Sequence, residues 1–346
     1  MGWMDTGRPR WRERLFAATI SIVATLAVVE VVCRVAFPPQ APIRFEQEEQ
    51  LLTQIGLAQF AEALVADPEM FWRVAPGSTL PPSAGINFGV LANGQQLREE
   101  HEIPLAKPAG EVRILFLGDS CTFGAGVEVT ETFPAFVERY LAEDVPGTRF
   151  ECINAGVPGY SLFQGWRLLE TEGLAYDPDV IVLSFGSNDA VAWDNLSDLE
   201  HYEEAHRRPP APIGWSRAAQ LVWKRIHARP PAEEKRSRLK PREFRDLLAR
   251  VRDRADERGI ALVTVVWTFQ HVAVGKEGAE RSRLQRALLD FSKNNRLVCI
   301  DTEPIFTRLC AEHAPGDVYF DKMHTSALAN AAVAREIADR LLELFR

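Results

Sequence analysis

Five short apolar runs alternate with helix-patterned segments over most of the C-terminal part of this chain of 346 residues. The runs occupy residues 112–117, 149–153, 180–185, 260–267 and 297–300. They are nearly continuous in apolar character, as in parallel strands covered on both faces. Helical patterns occur at 132–143, 161–173, 241–258, 282–294 and 326–345. This alternation predicts an α/β domain with a doubly wound, parallel, five-stranded sheet.

Another apolar run, at residues 15–29, continues to Phe37 near the N-terminus. Its length is close to the ~20 residues that a helix needs to cross a bilayer. Glu30 and Arg34 are four residues apart and can pair near its outer end. Basic residues are concentrated before the run, which places the rest of the chain outside by the positive-inside rule: Arg8, Arg10, Arg12 and Arg14. We predict a single-pass membrane protein with a cytoplasmic N-terminus at 1–14, a transmembrane anchor at 15–37 and an extracytoplasmic (periplasmic or extracellular) remainder.

Two other readings of the N-terminus stay open. A cleaved signal peptide has the same charged start and apolar stretch, although no clear cleavage site of small residues follows. Gly2 and Thr6 fit a short myristoylation pattern, which a spanning helix makes superfluous.

Residues 38–110 are expected to form a stalk and an N-terminal extension. Apolar spacing over residues 46–65 predicts an amphipathic helix, either on the membrane or packed on the catalytic domain. Residues 67–110 are rich in Pro and Gly and predict irregular structure or a hairpin, with a turn at Asn93-Gly94. The catalytic domain is assigned to 111–346, with a polar, proline-broken insertion at 195–240 over the C-terminal edge of the sheet.

Composition excludes several classes of function. The net charge of −8 disfavours a nucleic-acid partner, because phosphate backbones require a concentration of Lys and Arg. Five cysteines lack the spacing of a metal site, so we expect no metal and no cofactor. Outside the cytoplasm a disulfide is conceivable, and the sequence does not assign one.

Chemistry-bearing residues follow the predicted strands, where open α/β sheets bind their ligands. The first strand leads into a strand-to-helix turn that exposes the hydroxyl of Ser120 and directs a backbone N–H toward a developing oxyanion. Gly156, after the second strand, could donate another N–H, and Asn188, after the third, an amide N–H. Asp321 and His324 precede the last helix at a spacing that presents a base with its orienting carboxylate.

At these residues the chain resembles the SGNH, or GDSL-type, hydrolase family, as a membrane-anchored bacterial-type member. The family's blocks are a GDS serine, a glycine, a GxND asparagine and a terminal DxxH, and they occur here in that order between about 112 and 345. The resemblance implies Ser120 as nucleophile, His324 as general base and Asp321 as its partner. It also implies an oxyanion hole formed by the Ser120 and Gly156 N–H groups and the Asn188 amide, and a flavodoxin-like strand order. That order puts Cys152 and Cys299 at opposite sheet edges, which argues against their pairing.

Two rival motifs need to be weighed. Cys121 adjoins the serine but has no histidine near it in sequence, and its plainer role is that of a small buried residue. Asp198 to His201 form a second DxxH, but they lie in the polar insertion rather than before the final helix.

The expected function is serine-dependent hydrolysis of an acylated small molecule or carbohydrate through an acyl-enzyme. The leading substrate is an O-acetyl ester of envelope or exopolysaccharide sugars. An O-acyltransferase is the close alternative, and a non-catalytic membrane-anchored binding or scaffold protein is the alternative from another class. The sequence names no protein partner.

Overall fold

The computed structural model describes residues 11–37, 63–80, 89–194, 196–207, 210–211, 213–227 and 236–345. The chain divides into two compact units, one drawn from Met1–Gln40 and Glu204–Pro231, the other from Ala41–Glu203 and Ala232–Arg346.

The elements before the main sheet are one long helix and four short strands: α1 (Trp11–Ala36), β1 (Leu64–Asp67), β2 (Phe71–Val74), β3 (Thr79–Leu80) and β4 (Gly89–Val90). The next segment contains β5 (Glu111–Gly118), α2 (Ser120–Phe123), α3 (Phe133–Asp144), β6 (Arg149–Asn154), α4 (Leu162–Thr171), β7 (Val180–Ser184) and β8 (Ala192–Asp194). The remainder contains α5 (Asp198–His206), α6 (Arg217–Ile226), β9 (Arg236–Ser237), α7 (Pro241–Arg258), β10 (Ala261–Val266), α8 (Gln270–Ala273), α9 (Arg283–Asn294), β11 (Val298–Asp301), α10 (Glu303–Glu312), α11 (Pro315–Val318) and α12 (Ala327–Leu344).

The main sheet confirms the predicted fold class. Its five strands are parallel and lie in the order β11-β10-β7-β5-β6, which is the flavodoxin-like order. All five predicted strands are present, with ends shifted by at most one residue. Cys152 and Cys299 lie on the two edge strands, and all five cysteines are free thiols.

Side chains from the strands fill a core on each face of the sheet. In β5, Leu115 and Leu117 belong to one buried cluster, with residues of α4, α7 and α9. Ile114 and Phe116 point the other way, into a cluster with residues of α3, α10 and α12. Burial on both faces explains why the strand sequences are continuously apolar.

The five predicted helices correspond to α3, α4, α7, α9 and α12. The structure also contains helices that the apolar spacing did not predict, among them α5 and α6 in the insertion and α10, whose residues Phe306 and Leu309 are three apart and buried. Only these two of the ten residues of α10 are buried, so the apolar spacing does not stand out from the flanking segments.

The extension preceding the sheet contains a hairpin where the sequence predicted the end of a helix. Leu64 and Val65 pair with β2 in an antiparallel register, so the helix predicted over 46–65 is wrong at its last residues. The rest of that prediction lies at 46–63, of which only Ala63 is described. Residues with helical apolar spacing can form a strand when a neighbouring strand offers β-branched and aromatic side chains for cross-strand packing, as β2 does here.

This extension contacts the loops that follow β5 and β6. The buried Trp72 indole donates to the Pro158 carbonyl (3.0 Å), and the Tyr160 hydroxyl donates to the Trp72 carbonyl (2.7 Å). The fully buried Arg98 guanidinium donates to the carbonyls of Phe123 (3.2 Å) and Val127 (2.9 Å). The extension thus supplies side-chain donors to backbone carbonyls of the two loops that carry the chemistry-bearing residues.

The segment predicted as an insertion begins and ends at a buried ion pair. Arg238 and Asp198 have no exposed side-chain surface and are joined at 2.8 Å. Arg238 also donates to the Gly159 carbonyl, and Asp198 accepts from the Ser161 hydroxyl at 2.6 Å. Burial of two charges is tolerated because each has several hydrogen-bond partners.

The N-terminal apolar run is helical, as predicted, from Trp11 to Ala36. Within the described part of the chain, it is the helix whose length and composition suit a membrane span. The sequence placed the anchor at 15–37, so the helix begins four residues earlier and ends one residue earlier.

The buried ion pair yields a test of the fold. Replacing Arg238 with Met should destabilise the chain by about 3–5 kcal/mol, because Asp198 stays buried and loses its counterion. Arg242→Met is a matched control, since that side chain is 89% exposed; we expect a change within about 0.5 kcal/mol there. Denaturant unfolding of the full chain in detergent micelles measures both values. Equal effects of the two substitutions would contradict this reading of the pair.

Candidate active site

The residue predicted as nucleophile lies on a tight turn between β5 and α2. A Cβ at Gly118 would stand 2.0 Å from the Thr122 hydroxyl oxygen, so only glycine permits the turn. Asp119 caps α2 by accepting the Cys121 N–H at 2.9 Å, as the sequence predicts for a residue that orders the turn. Ser120 follows at the start of α2 and is only 1% exposed. The exposed hydroxyl expected from the sequence is therefore wrong for this structure, because His324 lies directly against Ser120 Oγ.

Three side chains from the two ends of the domain form a hydrogen-bonded chain. His324 Nε2 lies 2.8 Å from Ser120 Oγ, and His324 Nδ1 lies 2.6 Å from Asp321 Oδ2. The structure therefore brings together the three residues that the sequence singled out as a serine, a base and its partner.

A compact loop orients the histidine. The other carboxylate oxygen of Asp321 accepts the backbone N–H groups of Met323 and His324, both at 2.8 Å. Phe320 N–H donates to the His324 carbonyl (2.9 Å), and the Trp267 indole donates to the Met323 carbonyl (2.9 Å). These contacts fix the loop at both its start and its end.

Hydrogen bonds also determine the charge of Asp321. Partial burial raises the pKa of its carboxyl, but the hydrogen bond and charge of His324 and the two backbone N–H groups outweigh this and lower the pKa to about 2. Asp321 is thus ionised across the neutral range and holds the proton of Nδ1, which leaves Nε2 free to accept one.

Two of the three predicted oxyanion donors, Gly156 and Asn188, lie beside the serine turn and already have acceptors. Gly156 N–H donates to Asn154 Oδ1 at 3.0 Å, and Asn188 Nδ2 donates to the Tyr160 carbonyl (3.2 Å) and Asp119 Oδ2 (3.3 Å). A substrate oxygen would have to share these donors. A Cβ at Gly156 would lie 2.4 Å from Phe123 N, so glycine is needed for the close approach of this loop to α2.

Two supporting polar residues, Asn154 and Asp189, were not predicted from the sequence. Asn154 ends β6 and bridges the Gly156 N–H and the Thr122 carbonyl, to which it donates at 2.9 Å. Asp189 is fully buried and accepts from Leu162 N–H (2.7 Å) and Gly186 N–H (2.8 Å). Their positions at strand ends were a usable signal, because polar residues directly after buried strands have few roles other than binding or loop support.

Cys121 is unsuited to nucleophilic chemistry here. Burial, together with the negative charges of Asp119 and Asp321, raises the pKa of its thiol well above the usual value. Its Sγ faces the Met323 carbonyl at 3.7 Å. A buried neutral thiol agrees with the structural role that the sequence favoured.

The rival DxxH pair is occupied elsewhere. Asp198 forms the buried ion pair with Arg238, and His201 lies one turn along α5. Across the ranges that the structure describes, no group of three or more His, Cys, Asp or Glu side chains is arranged to hold a metal ion.

Comparison with known proteins gives a family match over most of this domain. Residues 116–332 match the model of the GDSL-like lipase/acylhydrolase family. No significant match was found among curated proteins.

Several solved structures are similar in fold. An acetyl xylan esterase is 16% identical over 66% of this chain and 100% of its own, with a TM-score of 0.47. An α/β hydrolase enzyme from the metagenome of Lake Arreo, Spain, is 16% identical over 69% and 98%, with a TM-score of 0.46. A lipase/acylhydrolase from Enterococcus faecalis is 20% identical over 66% and 96%, with a TM-score of 0.41. At identities this low the likeness concerns the fold alone.

Burial of Asp119 predicts how stability depends on pH. Desolvation raises the pKa of this carboxyl to about 6, against the opposing effect of the Cys121 N–H and the charge of His324. Between about pH 4 and 6 the folded chain therefore binds this proton more tightly than the unfolded chain, and this contribution to stability is lost as pH rises through that window.

Asp119→Asn removes that dependence. The free energy of unfolding of the variant minus that of the wild type should increase by up to about 3 kcal/mol as pH rises from about 4 to about 6. This expected increase does not depend on the stability of the variant at the lower pH. Unfolding free energies of both chains, measured at steps from about pH 4 to 7, test this window. Asp189, whose pKa burial also raises to about 6, is present in both chains and cancels. A difference between the chains that stays constant with pH would contradict the assignment.

Proposed function

The chain belongs to the GDSL-like lipase/acylhydrolase family and is a carboxylic ester hydrolase, and we propose that Ser120, His324 and Asp321 are its catalytic residues. The observation that carries the proposal is the continuous hydrogen-bonded path from Ser120 Oγ through the imidazole to the Asp321 carboxylate. This is the arrangement required for nucleophilic acyl transfer by a serine.

In the first half-reaction Ser120 Oγ attacks the ester carbonyl carbon while its proton passes to His324 Nε2. The negative charge of Asp321 stabilises the imidazolium that forms. Collapse of the tetrahedral intermediate breaks the bond to the alcohol, which leaves with the proton from Nε2. Water then gives a proton to His324 Nε2 as it attacks the carbonyl carbon of the acyl-enzyme. The bond to Ser120 Oγ breaks, the proton returns to that oxygen, and the acid is released.

The proposed oxyanion hole consists of the Ser120 N–H, the Gly156 N–H and the Asn188 amide. Two of these donors are pre-positioned by acceptors in the free protein, Asn154 for Gly156, and Asp119 with the Tyr160 carbonyl for Asn188. Such fixed dipoles need little reorganisation when charge develops on the substrate oxygen. The existing acceptors compete with the substrate oxygen for these N–H groups. The donors therefore stabilise the substrate oxygen only when it carries negative charge, which favours the transition state over the ground state.

We propose an acetyl or similarly short acyl group on a carbohydrate as the substrate. Ser120 and Asn188 are almost completely buried, and Gly156 packs directly on α2. The close packing around Ser120 supports a small acyl group rather than a long one beside the nucleophile. The substrate therefore fits with a small acyl group inward and the larger alcohol portion outward.

We also propose that α1 anchors the protein in a membrane and that the catalytic domain is extracytoplasmic. Support comes from the length and apolar surface of α1 and from the arginines that precede and begin it. The corresponding organisation is a cytoplasmic segment at 1–14, an anchor within 15–37, an extension to 110 and a catalytic domain at 111–346 with the insertion at 195–240.

The assignment of the nucleophile has a sharp test in neighbouring residues. Ser120→Ala should lower the rate of hydrolysis of a small acetyl ester by roughly 10⁴-fold or more, because the acyl-enzyme cannot form. Cys121→Ala is the matched control and should retain activity within about tenfold, since the thiol is buried and protonated. A fluorophosphonate probe should label the wild type and the cysteine variant but not the serine variant.

Opposite results have distinct meanings. Loss of activity and labelling in Cys121→Ala with retention in Ser120→Ala would transfer the nucleophile to the cysteine. A wild-type chain that neither hydrolyses the ester nor reacts with the probe would instead favour the non-catalytic alternative.

Hydrolysis and acyl transfer differ only in the acceptor of the acyl-enzyme. We expect acetylated oligosaccharide to yield free acetate in the presence of bare oligosaccharide, because water competes with the sugar hydroxyl for the ester carbonyl of the acyl-enzyme. Mass spectrometry of the sugars, alongside an acetate assay, measures the partition. Quantitative appearance of newly acetylated sugar without acetate would identify an O-acyltransferase and overturn the hydrolase proposal, while leaving the triad intact.

A further inference from the structure

Helix α6 begins directly against the polar end of α1. One carboxylate, that of Glu30, accepts the Ser216 hydroxyl (2.8 Å) and the backbone N–H groups of Arg217 (2.7 Å) and Ala218 (3.1 Å). An acidic group at this position satisfies N–H donors that the helix itself leaves unpaired and complements its dipole.

Further contacts join the same two segments. Arg34 pairs with Glu30 at 2.7 Å and donates to the Trp215 carbonyl at 2.9 Å. Arg217 donates to the Phe37 carbonyl at 2.7 Å. The start of α6 is therefore fixed to the last two turns of α1 by side-chain and backbone hydrogen bonds.

The position of Glu30 along α1 sets its depth in a bilayer. With Arg14 at the inner headgroups, Glu30 lies about 24 Å farther along a helix rising ~1.5 Å per residue. The hydrocarbon core is ~30 Å thick, so the carboxylate lies about one helical turn short of the outer acyl boundary. A charged group there requires partners, and the N-terminus of α6 together with Arg34 provides them.

One face of α6 is apolar and exposed. Ala218, Val222 and Ile226 are spaced by four residues and share this face, and Trp215 precedes it by about one turn. Trp215, Val222 and Ile226 are 78%, 60% and 72% exposed. Exposed large apolar side chains grouped on one helix face mark an interaction surface.

The charge of this segment contrasts with that of the whole chain. Residues 213–227 contain Arg217, Lys224 and Arg225 and neither Asp nor Glu, although the chain has a net charge of −8. An amphipathic helix with basic residues and a tryptophan is suited to the headgroup region of an anionic bilayer.

We propose that α6 is an interfacial helix that lies in the outer headgroup region of the bilayer crossed by α1, with Trp215, Val222 and Ile226 toward the acyl chains. The inference rests on the proposed membrane anchoring of α1 and is independent of the catalytic assignment. Glu30 links the two helices and holds the start of α6 within about one helical turn of the outer boundary. The protein thus has a second lipid contact besides its membrane span.

The test uses the full chain reconstituted in vesicles of phosphatidylcholine and phosphatidylglycerol. An environment-sensitive NBD label is attached at Val222→Cys or at Gln220→Cys, which lies on the opposite side of the same helix. Wild-type chain treated with the same reagent corrects for the native cysteines. Some vesicles contain lipid with a nitroxide near the headgroup and others lipid with a nitroxide near the end of the acyl chain.

We expect blue-shifted emission at Val222, quenched more strongly by the shallow nitroxide than by the deep one, and less shift and quenching at Gln220. Glu30→Leu should reduce the shift at Val222 while the chain stays in vesicles washed with carbonate. Hydrolysis of a soluble acetyl ester confirms that each labelled chain is folded. This activity does not depend on whether α6 contacts lipid.

Three results would overturn the proposal. Water-like emission at Val222 would show that this face does not contact lipid. A blue shift that neither nitroxide lipid quenches would assign the face to a protein contact, with a second copy or another chain. Release of the wild-type chain by the carbonate wash would contradict the proposed membrane span of α1, on which the interfacial helix depends. The catalytic proposal would be unaffected.

Discussion

The hydrogen bond between Ser120 Oγ and His324 Nε2 joins residues that are 204 positions apart in the chain. It forms because each partner is held by its own local structure. The serine is placed by a turn that requires Gly118 and the cap of Asp119, and the histidine by the backbone contacts of the Asp321 loop. The parallel sheet places Ser120 at the edge where its strands end. The Asp321 loop is held at the same edge by Trp267, which follows β10 and donates to the Met323 carbonyl.

The sequence was sufficient for the sheet and for the identity of the site because both depend on strong local patterns. Strands buried on both faces must be almost wholly apolar, so β5 and β7 could be delimited to within one residue. Ser120, Asn188 and the Asp321 loop all come directly after a strand or before a helix, where sequence position predicts spatial position. The flavodoxin-like order came from the family resemblance, since apolar runs do not specify which strands are neighbours.

What the sequence did not predict depends on long-range pairing. Asp198 and Arg238 appear as ordinary charges in a polar segment, yet both are completely buried, because each finds its counterion 40 residues away. The role of Asn154 likewise depends on a loop and a helix that meet only in the folded chain. Leu64 and Val65 form a strand because β2 is beside them, and the helical spacing of the preceding residues carries no information about that partner.

These unpredicted contacts converge on the loop from Gly156 to Tyr160. Its Pro158 carbonyl accepts the Trp72 indole, its Gly159 carbonyl accepts Arg238, and its Tyr160 carbonyl accepts the Asn188 amide. Each contact comes from a different part of the chain: the N-terminal extension, the end of the insertion and the strand end after β7. A loop of five residues held at three successive carbonyls has little freedom to move its N–H groups. The extension and the insertion therefore act on the proposed oxyanion hole through this backbone, although neither contributes a side chain to the Ser120, His324 and Asp321 path.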